Sequence, residues 1–429
     1  MTNLKLFGTD GIRGNASKYP FDEESLIQVG KAITTHFRAK KIFISGDSRR
    51  STPKIMKDLI KGITSQNCDV LFVDIMPTPF ISYLTKVYDC DCGIVITASH
   101  NPWNENGIKL FSSLGKKLSE EEELKIENLI LNETFNNLKQ GQMRKIDNWQ
   151  TLIEQKFKNQ FDFKTTKRIV IDCGHGATSY IAKKIFKKHC KDIITINCEP
   201  NGYNINDGGS TNLKDLKFAV ISNNADVGIA FDGDGDRVIM LDEKAHVIDG
   251  DHIMGIIAST ISDDKVVLTS YSNLALMNYL KNIGKEPIIT ENGDKFVYLK
   301  MKELNLQLGG EKTGHILLPK YSTTGDGITS ALKILEILNE KKCKLSKLNP
   351  FIDLPQVLIN KEIIEKTPIT ELTEVQEKIK EVETLLGNQG RVHVRYSGTQ
   401  NLVRVMVEGP EENVINKYAN QILDLFRWK

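Results

Sequence analysis

Neither sign of charge is in excess in this sequence. Lys and Arg total 57 against 55 for Asp and Glu. No broad basic field exists to favour nucleic acid or an anionic membrane, so any bound anion must be held by a local site. Long apolar runs are missing as well: nothing approaches the roughly 18 apolar residues of a membrane-spanning helix. The opening MTNLKLFGTDGIRG has no apolar signal core. Cysteine is sparse, odd in number and scattered, at Cys68, Cys90, Cys92, Cys173, Cys190, Cys198 and Cys343. Cys90 and Cys92 form a C-x-C too tight for a zinc pair without a second pair elsewhere. The pattern predicts free thiols in a reducing, cytoplasmic compartment. Low-complexity segments are absent. What remains is a soluble globular composition, 40% hydrophobic and 26% charged, on 429 residues. That length exceeds one ordinary core and implies several domains.

Short β-branched runs alternate with amphipathic stretches, which predicts α/β architecture, and the runs fall in threes. The first group is Lys41–Ser45, Asp69–Asp74 and Gly93–Ala98. The second is Arg168–Cys173, Asp192–Asn197 and Asp226–Phe231. The third is Lys265–Ser270, Glu286–Thr290 and Leu306–Gly310. Within a group the spacing of about 20 to 35 residues suits strand, helix and two loops. Leu118–Leu131 reads as a helix opened by a capping box of Ser119 and Glu122, and Asp147–Phe161 as a second bridge. After Pro350 the pattern changes to a helix-like stretch (Ile369–Leu386), a hairpin over 390–409 and a final helix. The expected architecture is three related α/β domains plus a smaller C-terminal α+β domain around a central cleft. The expected divisions are 1–150, 151–252, 253–355 and 356–429.

The third strand of each group runs into the most polar loop of its domain. Ligands of open α/β sheets collect beyond the carboxyl ends of strands, so three such loops suggest three walls of one cleft. The first is TASHNP, 97–102. Asn106-Gly107 then turns the chain into a strand, Ile108–Phe111, which could bring Lys109 to the same mouth as Ser99. A hydrolase elbow is excluded because the G-x-S-x-G glycines are absent. Adjacent Ser99 and His100 make a poor nucleophile–base pair, and a turn with local Ser and Asn caps remains the alternative reading. The second loop carries Asp232, Asp234, Asp236 and Arg237. Three carboxylates two apart repel unless a cation binds, and hard oxygen ligands suit Mg2+, Mn2+ or Ca2+. An EF-hand is excluded: Arg237 stands where Gly is required, and strands flank the loop. The third loop, GGEKTGH, resembles the end of a nucleotide P-loop, but Glu311 would repel a triphosphate. Glu311 and Thr313 instead offer an acceptor and a hydroxyl to a sugar. His315 could exchange protons near neutral pH.

The hairpin near the C-terminus supplies a fourth element. Arg395 and Arg404 flank a loop with Ser397, Gly398 and Thr399; forks, hydroxyls and a flexible Gly could make a phosphate clamp. Two solvent-facing arginines are the alternative. Near the start, three glycines and Arg13 within FGTDGIRG permit close approach to an anion.

These segments together resemble the α-D-phosphohexomutase family. The likeness runs in family order from FGTDGIRG to RYSGTQNLVRVMVEG and so covers essentially the whole chain. TASHNP and DGDGDR are its most specific parts, while FGTDGIRG and the closing RVMVEG point to the glucosamine branch. The resemblance implies an isomerase that interconverts glucosamine 6-phosphate and glucosamine 1-phosphate through glucosamine 1,6-bisphosphate, toward amino-sugar and peptidoglycan precursors. Ser99 matches the phosphoserine. Asp232, Asp234 and Asp236 match the ligands of one Mg2+, which the phosphoserine oxygen completes. Lys109 and His315 match proton-transfer positions. Arg13, His100 and Arg237 match the lining of the transfer site. Glu311 and Thr313 match sugar-hydroxyl contacts, and Arg395, Ser397, Gly398, Thr399 and Arg404 the distal phosphate clamp. The partner is a small sugar phosphate; the resemblance also allows a homodimer and a kinase that primes Ser99. Tyr396, Gln400 and Asn401 depart from the usual clamp pattern, and Thr313 from the usual Ser. The rival readings are a phosphoglucomutase or phosphomannomutase, a metal-dependent sugar phosphatase and a non-catalytic sensor.

Overall fold

The structure is a computed structural model that describes residues 5–8, 10–397 and 401–426. In the first sheet, strand Lys41–Gly46 lies between Asp69–Phe72 and Cys92–Ile96, all parallel, and Glu105–Ser112 returns antiparallel beside Cys92–Ile96. The second sheet repeats this order. Thr165–Asp172 lies between Cys190–Ile196 and Val227–Phe231, and Val238–Leu241 returns antiparallel. The third repeats it again with Lys265–Thr269, Glu286–Thr290, Gly309–Gly310 and Ile316–Leu317. The threefold pattern of the sequence is therefore a threefold repeat of topology. Residues such as Ile42–Ile44, Ile94–Ile96 and Ile169–Ile171 are buried; parallel strands covered on both faces read as continuous apolar runs, which is why they were legible.

Two additions extend the first sheet: an N-terminal ribbon, Phe7–Gly8 with Gly11–Asn15, beside Glu105–Ser112, and Met143–Lys145 at the far edge. The expected strand Leu306–Gly310 is shorter than its pattern. Leu306 leaves the ladder to pack on Val297 and Met301, and the Gln307 N–H donates to Asp263 Oδ2 at 2.6 Å. Helix Glu120–Asn132 opens with the expected capping box of Ser119 and Glu122.

The C-terminal unit is a three-stranded antiparallel sheet. Leu402–Glu408 lies between Gln356–Glu362 and Arg391–Tyr396, and helices Thr373–Leu386 and Glu412–Leu423 cover it. The first of these strands was not read from sequence; it is partly exposed and polar at its end.

Packing divides the molecule three to one. A single buried cluster runs through the three α/β units. Phe80 meets Phe157 at a centroid distance of 5.7 Å, Phe157 meets Phe161 at 6.4 Å, and Phe161 stacks on Tyr321 at 5.1 Å. Each buried ring contributes on the order of 2 kcal/mol to that seam. The C-terminal unit has its own cluster around Val403, Val405 and Ile415. All seven cysteines are free thiols. Among the described residues no helix is long and apolar enough to cross a membrane.

Candidate active site

Ser99 lies just past strand Cys92–Ile96, in a backbone conformation that a non-glycine residue rarely adopts (φ 52°). Several partners hold it there. Its N–H donates to Thr97 Oγ1 at 2.8 Å, and Thr97 Oγ1 donates to Asp47 Oδ2 at 2.7 Å. Its carbonyl accepts from Arg49 Nη2 at 2.8 Å and from Asn206 Nδ2, in the second unit, at 2.9 Å. Its hydroxyl donates to Asp232 Oδ2 at 2.7 Å. The two loops can meet because Gly233 has no side chain: a Cβ there would lie 2.8 Å from the Ser99 carbonyl. His100 Nδ1 lies 3.4 Å from Ser99 Oγ, a long hydrogen-bond contact. Loss of hydration, then the cations Arg237 and Arg13, push His100 down to about 4, so it is neutral at pH 7.

Arg49 had not been singled out from sequence. Its side chain is fully buried. Nε donates to Asp47 Oδ2 at 2.8 Å, and the terminal nitrogens donate to the carbonyls of Ser99, Asn101, Pro102 and Glu105. One guanidinium thus shapes the whole 99–105 loop. Its signal lay in Gly46-Asp47-Ser48-Arg49, a polar loop beyond the first strand of its group, where the switch-point rule applies equally.

Asp232, Asp234 and Asp236 are 0%, 0% and 3% exposed, and each offers an oxygen within 4.8 Å of the others. Burial, then the charges of Asp236 and Asp234, raises Asp232 well above the ordinary carboxylate range. Asp234 Oδ1 and Asp236 Oδ1 are buried without a hydrogen-bond partner. Buried, crowded and partly unsatisfied carboxylate oxygens fit a hard divalent cation.

A closed ring of alternating charge surrounds this loop. Asp10 is 3.0 Å from Lys109 and 2.7 Å from Lys117; Lys117 pairs with Asp294. Asp294 is 3.3 Å from His315 Nε2, and His315 Nδ1 is 3.6 Å from Asp236. Lys109 closes the ring at 3.2 Å from Asp236 and also reaches Asp234 at 3.0 Å. Asp10, Lys109 and Lys117 come from the first unit, Asp236 from the second, Asp294 and His315 from the third. Burial pulls His315 down, but Asp236 and Asp294 outweigh it and raise the imidazole to about 10. Lys109 is likewise held well above its usual range, against burial, by Asp10, Asp234 and Asp236. Both groups carry protons here. Asp10, Lys117 and Asp294 had not been assigned from sequence.

The remaining expected residues divide. Arg13 pairs with Asp10, and its Nη1 donates to the Ala98 carbonyl at 3.4 Å. The Arg237 N–H donates to Asp232 Oδ1 at 3.1 Å. Glu311 Oε1 accepts from the Gly293 N–H at 3.1 Å, and Thr313 Oγ1 donates to Glu311 Oε2 at 3.3 Å. Arg395 and Arg404 are register partners across their hairpin. They face the third unit, and among the described residues no hydrogen bond or ion pair joins them to Ser99 or to the acidic loop. Ser397 is buried; Gly398 and Thr399 lie outside the described residues.

Family models for the phosphoglucomutase/phosphomannomutase domains match the chain in order. The α/β/α domains I, II and III match residues 4–137, 147–246 and 249–352, and the C-terminal domain matches 358–425. The chain belongs to the phosphoglucomutase/phosphomannomutase (α-D-phosphohexomutase) family, and with it to the isomerases that move a phosphoryl group on a hexose. Within it, the chain is 40% identical to the phosphoglucosamine mutase of Chlamydia trachomatis over 98% of its own length and 96% of the relative's. It is 39% identical to that of Chlamydia muridarum over the same shares. Solved structures share the fold. A phosphoglucomutase/phosphomannomutase family protein from Burkholderia thailandensis superposes with a TM-score of 0.84 at 21% identity, covering 98% of this chain and 96% of that one. An Aspergillus fumigatus N-acetylphosphoglucosamine mutase, solved with GlcNAc-6P and magnesium, gives 0.66 at 18% identity over 99% and 95%.

Proposed function

We propose that the protein interconverts glucosamine 6-phosphate and glucosamine 1-phosphate through phosphorylated Ser99. The observation that carries this reading is the buried junction of Ser99 Oγ with the Asp232 carboxylate, ringed by Arg13, Lys109 and Arg237. The relatives at 40% identity support the choice of amino sugar. In the first transfer, the bond from phosphorus to Ser99 Oγ breaks and a bond to the sugar O1 forms, giving the 1,6-bisphosphate. Lys109 or His315, protonated in this structure, gives a proton to the departing Ser99 Oγ and, neutral as a result, takes up the proton of O1. After the intermediate turns over, Ser99 Oγ takes the phosphoryl group from O6 and glucosamine 1-phosphate leaves.

Asp232, Asp234 and Asp236, with an oxygen on Ser99, would hold Mg2+, which neutralises charge on the phosphoryl group. Arg13 and Arg237 add fixed positive charge, which loose phosphoryl transfer needs more than covalent chemistry. The left-handed backbone at Ser99, clamped by Arg49 and Asn206, aims Oγ without reorganisation. Glu311 and Thr313 contact the sugar hydroxyls. Arg395, Ser397, Gly398, Thr399 and Arg404 hold the non-reacting phosphate, and must accept it from either end of the sugar. The separate core of the C-terminal unit supports a hinge at 349–355 that lets the intermediate turn without escape. Sheet membership supports domain limits at 1–150, 151–252, 253–355 and 356–429. The free thiols support a cytoplasmic setting.

A coupled assay with glucosamine, glucose and mannose phosphates, primed with hexose 1,6-bisphosphate, tests the reading. Fastest turnover is expected on glucosamine phosphate. Equal turnover on glucose phosphate would undo the substrate choice, and stoichiometric release of inorganic phosphate would make the protein a phosphatase.

A further inference from the structure

Arg395 is partnered by an aromatic ring rather than by an acid. Its Nε donates to Tyr271 Oη at 2.8 Å, and its guanidinium carbon lies 5.0 Å from the centroid of the same ring. Tyr271 stands just beyond strand Lys265–Thr269 in the third unit, whereas Arg395 is on strand Arg391–Tyr396 in the C-terminal unit. Their neighbours also meet across this boundary. Ser270 Oγ lies 3.5 Å from His393 Nε2, and the rings of Tyr271 and His393 meet edge-on at 6.2 Å. Asn292 Nδ2 donates to Ser270 Oγ at 2.8 Å, which anchors the loop that carries Tyr271.

The choice of partner matters. Arg404 stands directly opposite Arg395 in register, and its Nε is buried without a hydrogen-bond partner. Among the described residues neither arginine pairs with a carboxylate. Two adjacent guanidinium groups without a counter-charge favour an incoming anion. A carboxylate partner would neutralise Arg395 and occupy its fork. A tyrosine takes only Nε and one face and, among the described residues, leaves both terminal nitrogens of Arg395 free for bidentate contact with phosphate.

We propose that Tyr271 is a positioning residue for phosphate recognition: it sets the fork of Arg395 from the sugar-binding unit, so the clamp is fully formed only when the C-terminal unit lies against the third. The inference rests on reading Arg395 and Arg404 as the distal phosphate clamp. Because the clamp holds the phosphate that is not reacting, Tyr271 acts on binding of both sugar phosphates and leaves the transfer at Ser99 unchanged.

The test is a double-mutant cycle read as KM and kcat in both directions. Tyr271→Phe keeps the ring and its packing and removes the hydroxyl; a thermal melt checks that the fold is intact. The expected result is a rise in KM of about tenfold for glucosamine 6-phosphate and for glucosamine 1-phosphate, the scale of one hydrogen bond to a charged group, with kcat within about twofold of the parent. Arg395→Ala should raise KM further, and adding Tyr271→Phe to it should change nothing more. If Arg395→Ala raises KM but Tyr271→Phe does not, the positioning role is overturned while the clamp stands. If Tyr271→Phe raises KM by the same factor on the Arg395→Ala background, Tyr271 acts independently of Arg395 and the inference fails. If Arg395→Ala leaves KM unchanged, the clamp reading itself falls.

Discussion

Lys117 of the first α/β unit pairs with Asp294 of the third, and this contact closes a six-membered ring of alternating charges around the acidic loop of the second. No two of the units complete that ring alone. Its burial makes it costly to open, because every member sits between two opposite charges at low dielectric. The ring, together with the shared apolar cluster, ties the three α/β units to one another, whereas the C-terminal unit has a separate core.

Asp294→Asn opens the ring and leaves Lys117 and His315 each short of one counter-charge. We expect a loss of roughly 2 to 4 kcal/mol in stability and a fall in kcat larger than any change in KM. Chemical denaturation and steady-state kinetics check this. A variant as stable and as active as the parent would mean that the ring is incidental.

Ser99→Ala removes the phosphoryl carrier. Its loss should lower kcat by about three orders of magnitude or more, the scale seen when a covalent nucleophile is deleted, while isothermal titration still detects sugar phosphate. Full activity would sink the phosphoserine mechanism.

The acidic loop predicts its own metal response. Adding Mg2+ to chelator-treated protein should raise the melting temperature and restore activity, because binding to the folded state alone stabilises it by mass action. Asp234→Asn should abolish both effects. An unchanged thermal shift in that variant would place the cation elsewhere.

Arg49→Lys retains the charge but not the five-donor fork. It should weaken the 99–105 loop and reduce kcat, and Arg49→Ala should cost on the order of 3 to 5 kcal/mol as Asp47 loses its partner. Parent-like kcat in Arg49→Lys would show that the geometry of Ser99 does not depend on the guanidinium.

Much of this was readable in the sequence because parallel strands buried on both faces are unbroken apolar runs. Ile42–Ile44, Ile169–Ile171 and Val266–Leu268 announce themselves. The loops after the third strands were legible because glycine and carboxylate spacing is local. Arg49, Asp10, Lys117 and Asp294 were not, because most of their partners lie tens to hundreds of residues away and a lone charge looks the same in a buried ring as on a surface. Strand Gln356–Glu362 escaped for another reason: it is partly exposed, so its pattern lacks the apolar continuity that marks a buried strand. The Tyr271–Arg395 contact joins two units that share no sequence signal at all.

Asp251 gives a pH-dependent prediction in the third unit. It sits in the first turn of helix Gly250–Ala258, fully buried, and its Oδ2 accepts from the Asn273 N–H at 2.7 Å. Burial, then the neighbouring charge of Asp249, raises its carboxyl to about 7. Asn273, Lys312 and Ser272 oppose that rise, and His252 pairs with Asp249 beside it. The fold therefore holds this proton more tightly than the unfolded chain does. Its contribution to stability is complete below about pH 4, falls as the pH rises toward 7 and is flat above, a change on the order of 4 kcal/mol. Asp251→Asn mimics the protonated form and can still accept from Asn273. The variant should be no more stable than the parent near pH 4 and clearly more stable near pH 8, with the difference growing across that interval. Urea unfolding of both proteins at several pH values measures it. A difference that stays constant with pH would show that Asp251 is ionised throughout and that the cost of burying it is met by its hydrogen bonds.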